Sequence, residues 1–462
     1  MFDHCSLHAD SILEAVFAAM SGSLLEKTRD AFSNIRPNHW YGEVSSVRGL
    51  LIECKGAQNL VHIGTRCQIY TKTEQVILAE VIGLQSDTAL LLPFTDPEGI
   101  GLGCRVDILP EEDSLYPCDA WIGRVLNALG KPLDDDKPLA QGVEAYSLRA
   151  SPPPAYQRRR VHGKLELGVR ALNSFLTCCR GQRMGIFAGS GVGKSMLISM
   201  LAKYSGADVN VIGLIGERGR EVQEFIEDYL GPEGCKRSVV VVATGDESAL
   251  MRRQAAYTTL TIAEYFRNQG KDVLCFVDSV TRVAMAQREI GLASGEPPTT
   301  KGYTPTVFSE LPKLLERAGP GMENQGNITG FFSVLVEGDD HNEPIADTVR
   351  GILDGHIVLD RNIAERGRFP AINILRSISR TMPNCNSEEE NQLISRARLL
   401  MATYSNMEEL IRLGAYKKGS DAQVDEAIKY RDALENFLRQ APNEHVTLAD
   451  SYADLAKVLS AS

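Results

Sequence analysis

The sequence predicts an α/β fold: a mainly parallel sheet flanked by helices, with a small all-β unit before it and helices alone after it. Three observations predict this. Between about residues 165 and 375, apolar β-rich runs ("VNVIGLIG", "SVVVVAT", "VLCFVDS", "ITGFFSVLVEG") alternate with helical stretches such as "EVQEFIEDYL". That is the pattern of buried parallel strands joined by helices. From Trp40 to about Leu109, short apolar runs ("GLLIEC", "RCQIYT", "VILAEVIGL", "ALLLPF") are separated by Gly, Asp, Asn and Pro, the rhythm of short strands and turns. After about residue 380 the chain reads as helical, in "EEENQLISRARLLMATYSNMEELIRLGAY" and "VDEAIKYRDALENFLRQ".

Residues 11–28 read as an amphipathic helix. Ser11 and Glu14 fit a capping box, and Ile12, Leu13, Val16, Phe17, Met20 and Leu24 recur on one face. That stripe either packs on its own domain or forms a docking face for a partner or a membrane surface. "GRVLNALGKPLDDDKP" is rich in turn residues, and the prolines of "ASPPPAYQRRRV" (150–161) make a stiff, irregular linker. The expected domains are a helical segment over 1–35, a β unit over 36–110, the α/β domain over 111–375 and a helical domain over 376–462.

Bulk composition excludes several classes. The chain has 462 residues, enough for two to four domains at roughly 100–200 residues each. Its formal net charge of −11 argues against broad nucleic-acid binding, which relies on Lys and Arg neutralising phosphates. No apolar run reaches the about 18 residues of a membrane span. The N-terminus, "MFDHCSLHADSILEAVF", has acids where a signal peptide would carry lysines. Ten cysteines without a C-x-x-C pair read as reduced thiols of a cytosolic protein. Adjacent Cys178 and Cys179 read as two small residues beside a turn.

The chemistry centres on "GIFAGSGVGKSMLISM" (185–200). The phosphate-loop pattern G-x-x-x-x-G-K-[ST] asks for glycine where this chain has Ala188, at the outer edge of the loop, where a methyl group is tolerable at negative φ. The rest matches. Gly189, Gly191 and Gly193 let the backbone curl so that N–H groups, including those of Ser190, Val192 and Met196, face phosphate oxygens. A strand precedes the loop and a helix comes after it, whose N-terminus favours anions. Lys194 would reach the β- and γ-phosphates, and the Ser195 hydroxyl would bind Mg²⁺. A second motif should place a carboxylate at a strand end near the metal, and "DVLCFVDS" offers Asp278, which read alone serves equally as a helix N-cap. Hydrolysis also needs a group to orient water. "GLIGERGREV" puts Glu217, Arg218, Arg220 and Glu221 in one turn after another apolar strand, at the sheet edge where α/β ligands bind, and Glu217 is the expected catalytic carboxylate.

With these residues in place, the chain from about 40 to 440 resembles the flagellar type III export ATPases, relatives of the catalytic subunit of rotary ATP synthases. The stretches that carry the resemblance are "GIFAGSGVGKS", "GLIGERGREV", "DSVTRVAMAQREIGLASGEPPTTKGYTPTVFSELPKLLERAG", "VLVEGDDHNEPIADTVRGILDGHIVLDR", "GRFPAINILRSISRTMP" and "EELIRLGAYKKGSD". The resemblance implies a RecA-like P-loop ATPase core with an N-terminal β-barrel and a C-terminal helical domain. It implies that Glu217 activates water, that Arg218 and Glu221 lie near the γ-phosphate and metal, that Asp278 belongs to the magnesium site, and that Arg282 is an arginine of the pocket. It implies that Arg380 reaches into the neighbouring subunit's site and that Phe369 packs on adenine. Read alone, Phe369 is a core aromatic. The implied partners are further copies in a homohexamer, a regulatory stator-like subunit at the N-terminal helix, a central stalk-like export protein, export-gate membrane proteins and chaperone–cargo complexes. The implied location is the cytoplasmic face of the inner-membrane export gate at the flagellar base. The acidic N-terminal helix favours a protein partner there over anionic lipid.

The alternatives are an injectisome ATPase and the rotary ATP synthase catalytic subunit. The latter usually reads "GGAGVGKT" and carries an acidic lever absent from "YSNMEELIRLGAYKKGSD". A nucleic-acid translocase would need a basic, aromatic barrel surface, which residues 40–110 lack. A non-catalytic nucleotide-binding scaffold could dispense with Glu217.

Overall fold

The computed structural model describes residues 40–110, 113–134, 137–336 and 343–460. The helix expected over 11–28 lies outside them. The chain forms two compact units. One comprises the described residues up to Leu91 together with Pro97–Pro110; the other comprises Leu92–Asp96 and the described residues from 113 onward.

In the first unit, six strands close an antiparallel barrel among the described residues, in the order β1-β2-β5-β4-β3-β6. They are β1 (Tyr41–Arg48), β2 (Leu51–Lys55), β3 (Arg66–Tyr70), β4 (Val76–Leu84), β5 (Ala89–Pro93) and β6 (Arg105–Ile108). Alternation decides which side chains turn inward. Ile52, Cys54, Cys67, Ile69, Ala79, Val81 and Val106 fill the interior.

The second unit is built on one sheet, ordered β14-β13-β8-β12-β11-β9-β10-β7. Its strands are β7 (Val125–Asn127), β8 (Arg183–Ala188), β9 (Val209–Ile215), β10 (Ser238–Ala243), β11 (Asp272–Asp278), β12 (Asn327–Leu335), β13 (Gly355–Leu359) and β14 (Ile378–Ser379). From β7 to β13 every neighbouring pair is parallel, and β14 is antiparallel to β13. β9 and β10 are buried at every residue, because crossover helices cover both faces of a parallel sheet. The turn-rich segment after the barrel contributes more than turns: Val125–Asn127 extends the sheet edge. Its apolar run is too short to stand out in the sequence.

Helices α1 (Arg170–Phe175), α2 (Lys194–Tyr204), α3 (Gly219–Glu224), α4 (Ala249–Asn268), α5 (Val280–Ala293), α6 (Pro305–Leu315) and α7 (Pro344–Ile352) flank the sheet. "EVQEFIEDYL" is not one α-helix: α3 passes into a π-helical turn over Phe225–Leu230. The tail is helical, with α8 (Glu388–Arg412), α9 (Ala422–Leu438) and α10 (Leu448–Ser460). Ser387 and Glu390 close a capping box at the start of α8. Leu434, Phe437, Leu438, Tyr452, Leu455 and Leu459 join the same hydrophobic cluster as Phe175, Leu197 and Leu201, and Phe175 meets Phe437 edge to face at 6.2 Å. The tail therefore shares a core with the sheet. Among the described residues, no helix is long and apolar enough to cross a membrane.

Candidate nucleotide site

Register across the sheet assembles the site. Ile186 pairs with Ser333, Val277 with Phe332, and Leu214 with Asp278. The carboxyl ends of β8, β12, β11 and β9 therefore stand side by side, and the groups at those ends share one edge of the sheet. The glycine loop leaves β8, Asp278 ends β11, and Glu217 comes just after β9.

The loop needs its glycines at two positions in particular. Gly191 and Gly193 have φ of 76° and 88°, a region that a Cβ disfavours. Ala188 ends β8 and is buried, so the departure from the glycine pattern falls in regular strand. Lys194 opens α2, with Ser195 and Met196 in its first turn. Val192 is buried, Met196 packs on the core, and Ser190 and Gly191 are exposed.

Lys194 joins the two expected carboxylates. Its Nζ donates to Glu217 Oε1 at 3.0 Å and to Asp278 Oδ1 at 2.5 Å. The side chains of Lys194, Glu217 and Asp278 are 11, 18 and 5% exposed, so little solvent screens them. Burial raises the Glu217 carboxyl above its ordinary range and Asp278 adds to this, while Lys194 opposes it. Burial pulls Lys194 down, but Asp278 and Glu217 outweigh it and hold the ammonium above its ordinary value. Asp278 does not cap α5. That part is played by Ser279, whose hydroxyl accepts from the Arg282 amide.

The surrounding residues divide into two groups. The first lies at the loop. Glu221 contacts Glu217. Arg282 packs against Gly216, where a Cβ would fall 2.7 Å from the Arg282 Cβ. Phe369 lies against the loop: a Cβ on Gly193 would sit 3.3 Å from its Cδ1, and the ring is 42% exposed. The Phe369 carbonyl accepts from the Gln440 amide at 2.9 Å, and Arg368 pairs with Glu435 of α9. The helical tail thus holds the backbone that presents Phe369.

The second group stays apart. Arg218 projects into solvent, 86% exposed, and pairs with Glu221 at 3.4 Å. Arg380 is exposed at the end of β14, its amide donating to the Asp354 carbonyl. Asp354 in turn accepts from the Arg183 amide, at the amino end of β8. The loop leaves the carboxyl end of that strand, about 16 Å away at roughly 3.3 Å per residue. One chain does not bring Arg380 to its own phosphate loop.

One contributor belongs to no motif. Ser333 is buried on β12, between β8 and β11, and its hydroxyl donates to Asp278 Oδ1 at 2.5 Å. Its signal in the sequence is a lone hydroxyl inside the apolar run "GFFSVL", since a buried polar group must find a partner.

A glycine loop between a strand and a helix, an invading lysine and two strand-end carboxylates define a P-loop ATPase whose loop strand and Asp278 strand are separated by one further strand. Comparison with known proteins carries this further. Residues 168–379 match the ATP synthase alpha/beta family, nucleotide-binding domain. Residues 44–109 match the beta-barrel domain of that family, and residues 386–457 match the T3SS EscN ATPase C-terminal domain. The flagellum-specific ATP synthase of Caulobacter vibrioides is 58% identical over 434 residues, covering 93% of this chain and 98% of that one. Its counterpart in Bacillus subtilis is 53% identical over 420 residues, covering 90% and 95%. The assembled ATPase EscN in complex with its central stalk EscO, from the enteropathogenic E. coli type III secretion system, superposes with a TM-score of 0.82 at 43% identity, covering 91% of this chain and 100% of that one. The chain belongs to the flagellum-specific ATP synthase family.

Proposed function

We propose that this chain hydrolyses Mg-ATP in a homohexameric ring to energise export of flagellar proteins through the type III secretion apparatus. The observation that carries the reading is Lys194 bonded to both Glu217 and Asp278 beside the glycine loop. Lysine has three donors, and phosphate oxygens entering the loop would compete with the carboxylates for them. Glu217, raised by burial, is then basic enough to orient and polarise the attacking water. Ser195 and Asp278 would hold Mg²⁺, and both offer the oxygen ligands that a hard cation takes. When bound, the ion neutralises charge developing on the phosphates. Arg282 and Glu221 flank Glu217, and Phe369 offers a ring to the adenine.

Arg380 supports the ring. It is exposed and lies at the far end of the strand from its own loop, so it would serve a neighbour's site. The EscN complex is described as assembled with a central stalk, and we extend both features to this chain. The family resemblance adds the remaining partners: a stator-like subunit at the N-terminal segment, export-gate membrane proteins and chaperone–cargo complexes, at the cytoplasmic face of the inner membrane. The domain limits proposed are 1–35, 36–110, 111–375 and 376–462.

The test is Glu217→Gln in the source organism. With the protein present at normal level, swimming and secretion of flagellar proteins should both fall while growth and cellular ATP stay unchanged. Loss of a different secreted set would assign the chain to an injectisome, and unchanged secretion would refute the export reading.

A further inference from the structure

A nucleotide is gripped at two ends, and two distant segments of this chain supply the grips. The phosphate loop opens α2 at Lys194. Phe369 lies in the segment after β13, with an exposed ring. An exposed ring is placed by its backbone, and the Phe369 backbone is held at two points. The Arg368 guanidinium turns back along the chain and donates to the carbonyls of Pro370 at 3.3 Å and Ile372 at 3.0 Å, while Glu435 of α9 holds its Nε at 2.8 Å. The Phe369 carbonyl itself accepts from the amide of Gln440, two residues beyond the end of α9.

Gln440 is buried, and its side chain is fixed in orientation. Its Nε2 donates to the carbonyls of Gly168 at 2.8 Å and Glu444 at 2.7 Å, and its Oε1 accepts from the Arg170 amide at 2.8 Å. A glutamine amide has two donor hydrogens and one carbonyl oxygen, so these three bonds leave it no freedom to turn. Arg170 closes on the same segment from α1. Its guanidinium donates to the carbonyls of Phe437 at 3.1 Å and Arg439 at 2.9 Å, and pairs with Glu444. Gly168 in turn packs on the far end of α2: a Cβ there would fall 2.3 Å from the Cβ of Tyr204, the last residue of that helix. The contacts therefore run from the phosphate loop along α2 to Gly168, then to Gln440, then to Phe369. Loop and ring are both referenced to one helix.

We propose that Gln440, assisted by Glu435, is a positioning residue for the nucleotide base: it sets the Phe369 ring at the separation from the phosphate loop that a nucleotide requires, and so links base binding to the end of α9. The proposal rests on the reading of Phe369 as the ring that stacks on adenine. Gln440 acts through the Phe369 carbonyl. Without its side chain, the buried carbonyls of Gly168 and Glu444 and the Arg170 amide lose their partner, and the segment relaxes to recover hydrogen bonds elsewhere. The backbone amide that holds Phe369 then shifts with it. The link is reciprocal. A base seated on Phe369 restrains the Gln440 amide, whereas phosphates alone do not reach it through the ring.

The test compares ATP with tripolyphosphate, which carries the phosphates and no base, by calorimetric titration of the full chain. Gln440→Met keeps the length of the side chain and removes its polar atoms. It should weaken ATP at least about fivefold, the lower end of what stacking on an aromatic is worth, and leave tripolyphosphate within about twofold. Glu435→Ala, at a half-exposed position that folding tolerates, should weaken ATP about threefold with the same selectivity. Combined with Phe369→Ala, neither change should weaken ATP further, because both act through that ring. Equal weakening of both ligands, or effects that add to Phe369→Ala, would overturn the proposal as a general loosening of the fold. If Phe369→Ala alone leaves ATP unchanged relative to tripolyphosphate, the stacking reading fails and the proposal with it. If Phe369→Ala is selective for ATP and the other two variants are not, only the positioning role fails. The unaltered chain gives an independent readout in hydrogen exchange over residues 437–446. ATP should slow exchange of the Gln440 amide at least threefold more than tripolyphosphate does, and equal slowing by the two would overturn the link to α9.

Discussion

Lys194→Met removes the cation that bonds both Glu217 and Asp278, and the structure sets the size of the effect. At 3.0 and 2.5 Å, the two attractions are worth about 5.5 and 6.6 kcal/mol at an effective dielectric of about 20. Most of this offsets the cost of burying the three charges, and breaking such a pair costs about 3–5 kcal/mol. Protonation limits the loss further. The variant can neutralise Glu217, whose carboxyl burial already raises, and a neutral acid can donate to the remaining carboxylate. Protonating a carboxyl of ordinary pKa 4.5 costs about 3.4 kcal/mol at pH 7 and about 1.4 at pH 5.5. The variant should therefore be less stable than the parent by about 3 kcal/mol at pH 7 and by about 1 at pH 5.5. The sign comes from proton binding. Folded Glu217 in the variant holds a proton where the unfolded chain does not, so the variant's stability rises as pH falls. The assay is urea unfolding without nucleotide at the two pH values, monitored by circular dichroism. Adding Glu217→Gln to Lys194→Met should restore most of the lost stability at pH 7, because the carboxylate that needed the lysine is gone. Equal destabilisation at both pH values, or no rescue by Glu217→Gln, would refute the reasoning.

Arg380→Ala should lower turnover by about 10³–10⁵ and Glu217→Gln by about 10²–10⁴. Mixed in equal amounts at ring-forming concentration, they should recover part of it, since about a quarter of boundaries then join an intact Glu217 to an intact Arg380; no recovery would count against action in trans. Phe369→Ala should weaken ATP binding about 5- to 150-fold, the range of about 1–3 kcal/mol for base stacking on an aromatic, with kcat little changed, as measured by nucleotide titration and steady-state kinetics. Glu217 works as the carboxylate, so kcat/KM should fall as pH drops through its raised value. The acid limb of the pH profile should thus lie above the ordinary 4.5, and an acid limb at or below 4.5 would show that another group controls it.

Much of this molecule is legible in local stretches of sequence. The glycine loop needs particular φ values at particular positions, so Gly191, Gly193, Lys194 and Ser195 announce themselves in a single window. Parallel strands buried on both faces leave continuous apolar runs, and the strands ending at Asp278 and before Glu217 are readable for that reason. Local sequence does not carry adjacency. Ser333 bonds Asp278 because β12 lies between the loop strand and the Asp278 strand, and strand order is set by crossover topology rather than by any one stretch. The tertiary structure alone sets Arg380 apart from its own loop, by pairing its strand antiparallel at the amino end of β13. Backbone conformation and burial are imposed residue by residue, so the sequence by itself determined the elements and the chemical groups they carry. Proximity between distant segments is decided by how whole faces pack, and only the folded chain determined which of those groups stand together.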